Sequence, residues 1–205
     1  GASVLNTLNG YTTGVVNAAT VTTLTGAAAD ANTAYAANAA GTIIGLGNEA
    51  VTINDTSITA LVLHTLDGYT SGVVNASTVT SITGIAPTVI TIYASSGISG
   101  LGNEAVTLTS NTSVSNANSV SATTEGIVTA TITEGDMSTL ANITETGNAY
   151  TITVTDTSVA SAALNTLDGK TTVAVTATAI TTLTGAAADV KATYDANTAG
   201  TISGL

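Results

Sequence analysis

The chain has no cysteine, tryptophan or phenylalanine, one proline and one histidine, and its only basic side chains are Lys170 and Lys191. Without cysteine there is no disulfide, no thiol nucleophile and no thiolate metal site, although this chooses no compartment. The one histidine, His64, supplies neither a usual zinc site nor a self-contained catalytic pair. It stands where related stretches carry Asn6 and Asn165 and reads as a surface substitution. Two lysines against thirteen acidic residues give a formal charge of −11, which repels polyphosphates and anionic headgroups, so no nucleic-acid partner is expected. No apolar run approaches the roughly 20 residues of a membrane span, and residues 1–10 show no basic segment followed by an apolar one. No membrane span is expected, and a signal peptide is read as absent or already removed. With aromatics at 3%, any core must be thin and filled by Ala, Val, Ile and Leu. The GxSxG, Walker A and GxGxxG patterns are absent, and GISGLG has the wrong spacing for a dinucleotide fingerprint. Enzyme activity therefore has no residue to rest on.

What is present is repetition. LNTLNGYTTGVVNAATVTTLTG at Leu5 returns as LHTLDGYTSGVVNASTVTSITG at Leu63 and as LNTLDGKTTVAVTATAITTLTG at Leu164, at offsets of 58 and 101 residues. GLGNEAVTI at Gly45 recurs as GLGNEAVTL at Gly100, with TGNAYTITV at Thr146 as a third, weaker copy. Aligned on Gly47, Gly102 and Gly147, the units are 1–46 (partial), 47–101, 102–146 (short and degenerate) and 147–205, one repeat array. Both ends fall inside a unit, so continuation is expected as flanking repeats of a longer chain or as copies of the chain end to end.

Within a unit, apolar periodicity predicts strands alternating with short helices. Thr151 to Thr155 alternate strictly, placing Ile152 and Val154 on one face; this strand, Ala149–Thr155, matches Ala50–Asn54 and Ala105–Thr109. Asp156, Thr157 and Ser158 are candidate N-caps of a following helix holding Val159, Ala163, Leu164 and Leu167, equivalent to Ile58, Val62, Leu63 and Leu66. A second strand is expected at Gly14–Ala18, Gly72–Ala76, Val173–Thr176 and Gly126–Thr133. After it, Val21, Leu24, Ala28, Ala31 and Tyr35 form a core stripe. Pro87 in the middle copy splits this element into one turn over Val79–Thr83, a break at Gly84, and a helix starting near Pro87. Met137, Leu140 and Ile143 predict a shorter helix, and the polar residues Ser110–Gly126 read as a loop, an irregular rung or a hinge. The fold class expected is an α/β solenoid of stacked parallel strands alternating with helices, with a right-handed parallel β-helix as the alternative.

Few residues suggest chemistry. The GLGNE turns could aim Asn48, Glu49, Asn103 and Glu104 at calcium, which favours oxygen ligands; a tight structural turn is the plainer reading, and no other cofactor is expected. Glu125, Glu134 and Asp136 are the densest acidic cluster and could act as acid and base or share a metal, though a helix N-terminus explains Glu134 and Asp136 more simply; Asp55, Asp67, Asp156 and Asp168 read as caps or Asp-Gly turns. Thr-x-Thr rows could order ice, but the copies keep them poorly. Asn54, Asn75, Asn111 and Asn142 lie in glycosylation sequons.

The blocks LNTLDGKTT at Leu164, VTTLTGAAAD at Val21 and GLGNEAVT at Gly45, with TDTSVA at Thr155, resemble the Thr/Ala-rich tandem repeats of very large secreted or cell-surface proteins of bacteria, marine cyanobacteria in particular. The resemblance implies an extracellular adhesin-like, sheath or filament component and transfers no functional residue. The expected function is that of a structural extracellular or cell-surface protein, with cell-surface polysaccharide as a further partner. The alternative is a calcium- or glycan-binding surface module; ice binding or a polysaccharide-acting enzyme ranks lower.

Overall fold

A computed structural model describes residues 1–205. It is an α/β fold in which short parallel strands alternate with helices, with no closed barrel, and it divides into two compact units, Gly1–Glu104 and Ala105–Leu205. The division falls inside the second GLGNEAVT block. No helix is long and apolar enough to cross a membrane.

Unit 1 runs α1 (Ala2–Tyr11), β1 (Val16–Asn17), β2 (Thr23–Gly26), α2 (Ala28–Ala39), β3 (Ile43–Ile44), β4 (Ala50–Ile53), β5 (Ser57–Thr59), α3 (Ala60–Tyr69), β6 (Val74–Asn75), β7 (Ser81–Gly84), α4 (Ala86–Ala94) and β8 (Ile98–Ser99). Strands β2, β4, β6 and β8 lie side by side, β5 pairs with β7 and β1 with β3, all parallel. Partners are one circuit of chain apart: Leu24 faces Val51, Val51 faces Val74, and Val74 faces Ile98. On the other layer α1 packs on α2, α2 on α3 and α3 on α4.

Unit 2 continues with β9 (Ala105–Leu108), α5 (Val114–Ser121), β10 (Val128–Thr131), α6 (Met137–Leu140), β11 (Ala149–Thr151), β12 (Ser158–Ala160), α7 (Ser161–Asp168), β13 (Val175–Thr176), β14 (Thr182–Thr184), α8 (Ala187–Ala199) and β15 (Ile202–Ser203). Strand β10 pairs with β9 and β11, β12 with β14 and β13 with β15, again all parallel; α6 packs on α7 and α7 on α8.

The interior is filled by the inward side of each alternation, such as Val51 and Ile53, Val106 and Leu108, or Tyr150, Ile152 and Val154. Against it lie helix residues at spacings of three and four: Ala28, Ala31, Ala34 and Tyr35 in α2, Leu63 and Leu66 in α3, Leu164 and Leu167 in α7. Apart from Tyr35 and Tyr150, the buried apolar residues are all Ala, Val, Ile or Leu, so the core is filled without Phe or Trp.

Three expected elements differ from the structure. Ser81–Gly84 is strand β7 rather than part of a helical turn at Val79–Thr83, because Ser81, Ile82 and Thr83 bond in register with Ser57, Ile58 and Thr59. For the same reason Ile58 and Val159 sit on β5 and β12, and their helices begin at Ala60 and Ser161. A pairing partner 24 residues away outweighs local helical spacing. The polar stretch expected to be a loop or hinge forms α5, where Val114, Ala117 and Val120 are buried and Ser113 accepts from Asn116 N at 3.2 Å as N-cap. Pro87 does lie at the start of α4, in the first turn, where no intrahelical donor is lost.

Candidate functional site

The GLGNE turns were the strongest chemical candidates, and the structure shows how each is built. Gly45 and Gly47 take φ of +89° and +139°, which turns the chain from β3 into β4 and brings Glu49 onto the inward side of the strand, two residues before Val51. Its Oε2 accepts a hydrogen bond from the Tyr35 hydroxyl at 2.9 Å and from Gly47 N at 2.8 Å. Glu49 is fully buried, and Tyr35 stacks on Tyr69 with ring centroids 5.6 Å apart. The second turn repeats the construction: Glu104 Oε2 accepts from Tyr93 Oη at 2.7 Å and from Gly102 N at 2.8 Å. Asn48 and Asn103 are exposed. The four residues read as calcium ligands are therefore divided between two environments, and the two carboxylates act as inward acceptors locking a helix tyrosine to a strand entrance. Thr70 adds to the first lock by donating to the Glu49 carbonyl at 2.7 Å.

The third copy is built differently, and the glycine alignment is one residue out. Asp156 corresponds to Asp55, Thr153 to Thr52 and Leu164 to Leu63, all at an offset of 101, which matches Glu49 with Tyr150 rather than with Ala149. The contacts agree: Thr70 donates to the carbonyl of Glu49, and its counterpart Thr171 donates to the carbonyl of Tyr150. Tyr150 is fully buried at the position that Glu49 holds in unit 1. Beside it Asn148 donates to Ser121 Oγ at 2.8 Å and accepts from Val128 N at 2.8 Å. The constant offset of 101 at Thr52, Asp55 and Leu63, all after the glycine, was the signal that sequence comparison could have used.

Burial pushes the Tyr35 phenol well above its ordinary pKa; the Glu49 carboxylate adds to the rise, and the Thr70 hydroxyl offsets part of it. Burial likewise raises Tyr150, opposed by the Ser121 hydroxyl and helped by the charge of Glu145. Both phenols are held neutral when folded and ionise near 10 when unfolded, so their contribution is complete below pH 10 and is lost as pH rises above it. Chemical denaturation midpoints should accordingly fall between pH 9.5 and 11, more steeply than in a Tyr35→Phe/Tyr150→Phe variant. Parallel pH slopes for the two proteins would contradict this assignment.

Four of the other acidic candidates are caps, three of them not where their sequence neighbours suggested. Asp55 accepts from Ala28 N, the first residue of α2, at 2.8 Å; Asp156 accepts from Met137 N, the first of α6, at 2.6 Å; Glu134 accepts from Val114 N, the first of α5, at 3.1 Å. Each carboxylate thus caps the helix one circuit earlier, at the positive end of its dipole. Only Asp136 caps its own helix, accepting from Thr139 N at 2.9 Å; bonds from Ser138 and Thr139 hold its carboxyl below the ordinary range. Asp67 lies inside α3 rather than in an Asp-Gly turn, whereas Asp168 opens the turn Asp168-Gly169-Lys170-Thr171, closed by Thr171 N donating to the Asp168 carbonyl at 3.4 Å. They lie at the ends of α3 and α7 and accept from Ser95 Oγ at 2.7 Å and Thr201 Oγ1 at 2.8 Å. Glu125 is exposed and borders a shallow depression with Glu145, Gly147 and Asn148. His64 is exposed, while Asn6 and Asn165 at its place donate to the Asp30 and Asp189 carbonyls of the next helix.

Thr151, Thr153 and Thr155 face outward as their alternation required, and Thr107 with Thr129 and Thr131 with Thr151 form exposed cross-strand pairs. The rows break at Ala149, which lies beside Thr129, and in unit 1 at Asn75, which lies beside Thr52. Of the sequon asparagines, Asn54, Asn111 and Asn142 are exposed and Asn75 is half-buried. No cluster of three or more His, Cys, Asp or Glu is placed to hold a metal ion. No protein-family model, curated protein or solved structure matches the chain.

Proposed function

We propose that the chain is a structural repeat protein, an α/β solenoid whose circuits stack into an acidic rod within an extracellular filament, sheath or surface adhesin. The observation that carries this reading is the uniformity of strand pairing. Every ladder is parallel and joins segments one circuit apart, from 20 residues for Thr129 with Ala149 to 27 for Val16 with Ile43. Pairing of this kind buries the apolar face of each circuit against its neighbour and needs no pocket. The carboxylate caps support the same reading, since each circuit completes the helix of the one before. So does the composition: side chains that extend a thin layer, and only Lys170 and Lys191 for trypsin-like proteases to cut.

Electron microscopy and small-angle scattering of the purified chain test the proposal. A rod is expected, with a maximum dimension well beyond that of a compact 19.8 kDa globule. A scattering profile with the radius of gyration of a sphere of that mass would remove it.

A further inference from the structure

At the end of α5 the second unit departs from the first. Asp55 caps Ala28 and Glu134 caps Val114, the first residues of α2 and α5. Counted from those residues, Ser121 stands in α5 where α2 carries Tyr35, and α5 has no aromatic side chain. At that point lies a depression of about 400 Å³, lined among others by Ser121, Glu125, Ile127, Glu145 and Asn148. Its size falls within the range of small-molecule sites.

Floor and rim differ in chemistry. Asn148 Oδ1 is taken by Val128 N at 2.8 Å, so the amide presents Nδ2 to Ser121 Oγ, also at 2.8 Å. Having accepted that bond, the Ser121 hydroxyl keeps one lone pair and its own proton. Beneath it Tyr150 is fully buried, and the phenol hydroxyl makes no hydrogen bond. The polar groups that act on it are the Ser121 hydroxyl and the charge of Glu145, both in the lining, so it is turned toward the depression. The rim carries the exposed carboxylates of Glu125 and Glu145, neither in an ion pair, since the chain's one ion pair is Lys191 with Asp195. Ile127, 57% exposed, adds an apolar wall.

A donating floor does not suit a metal cation, whose ligands must all offer lone pairs. Two carboxylates in a chain of charge −11 do not suit an anion. A ligand whose oxygens both accept and donate, and whose C–H groups can lie against an aliphatic side chain, meets both halves. We propose that this depression binds a neutral saccharide of one or two rings, with Ser121 donating to a sugar oxygen, Glu125 and Glu145 accepting from sugar hydroxyls, and Ile127 packed on the ring's C–H face. Tyr150 is a positioning residue. Its hydroxyl is covered, so it acts through Ser121: when the serine proton turns outward to the sugar, the remaining lone pair of Oγ accepts from Tyr150 Oη and the orphaned phenol is satisfied. The assignment is independent of the rod reading. With an open rim and few contacts, the dissociation constant is on the order of 1 mM.

Saturation-transfer difference NMR of the full chain titrated with maltose, cellobiose, lactose and mannobiose tests this. At least one of these sugars should bind at a single site. Glu145→Gln should weaken that binding by roughly tenfold and Tyr150→Phe by about fivefold. Asp195→Asn, an exposed carboxylate that does not line the depression, should leave it unchanged. Tyr150→Phe also separates positioning from packing: it removes a hydroxyl without a partner, so the urea midpoint should stay level or rise while affinity falls. Equal affinity in wild type, Glu145→Gln and Tyr150→Phe would put the sugar elsewhere and overturn the assignment. Calcium chloride bound in wild type and lost in Glu145→Gln, with no sugar bound, would make this a cation site and overturn it as well. So would the failure of all these sugars to bind well above the millimolar range, and none of these results would bear on the solenoid.

Discussion

Replacing Gly72 by alanine should destabilise unit 1 by about 3 kcal/mol or more and lower its melting temperature by roughly 10 °C. A methyl group at this position would press on the carbonyl carbon and oxygen of Glu49 and lie 2.8 Å from Ala50 N. These are backbone atoms at the entrance of β4, and they cannot swing aside as a side-chain tip could. To make room, the chain would have to part where Ser71 N donates to the Gly47 carbonyl and Thr70 to that of Glu49. Gly68 is the control, four residues earlier in the same LDGYTSG stretch. It lies inside α3 with nothing near the added methyl, so Gly68→Ala should stabilise by about 0.5–1 kcal/mol through backbone entropy alone. Thermal and urea melts of the pair decide the matter, and equal effects would mean that the close approach at Gly72 is not a constraint.

The second large effect is expected at the buried tyrosine–glutamate lock. Glu49→Ala removes the acceptor of both Tyr35 Oη and Gly47 N, strands the phenol hydroxyl in the interior and opens a void; the cost should be about 3 kcal/mol. Tyr35→Phe leaves Glu49 its bond from Gly47 and keeps the ring on Tyr69, so about 1–2 kcal/mol is expected. Because the phenol and carboxylate share one hydrogen bond that either change removes, the double variant should cost less than the sum of the two by about 1 kcal/mol. A urea-denaturation cycle measures this coupling. Additive costs would show that the phenol and the carboxylate do not depend on one another, and the inward acceptor role of Glu49 would then fall.

The same lock shows what repeat comparison can mistake. Gly47 and Gly147 are the visible landmarks, and aligning them matches Glu49 with Ala149. In the fold the landmark is the alternation of buried side chains, and Tyr150 takes the inward place. A one-residue slip in a strand exchanges inside for outside, so the structural register corrects the reading of that one site. The caps carry a similar lesson. Its place before a helical pattern makes Asp156 a cap of the helix that follows, because a cap is ordinarily local in sequence; strand pairing instead sets Asp156, like Asp55, beside the first amide of the preceding helix.

Taken by itself, the sequence determined the alternation of strands and helices, the inward faces of Ile152, Val154, Leu63, Leu66, Leu164 and Leu167, the start of α4 at Pro87 and the outward threonines. Periodicity of apolar residues and the fixed φ of proline act within a few residues, and no distant partner is needed to read them. Only the tertiary structure decided that Ser81–Gly84 and Ser57–Thr59 are strands, that Ser110–Ser121 holds a helix, and which amide each carboxylate caps. Those outcomes depend on hydrogen bonds and burial between segments about 24 residues apart, where a short stretch with weak preferences takes the form that satisfies its neighbour.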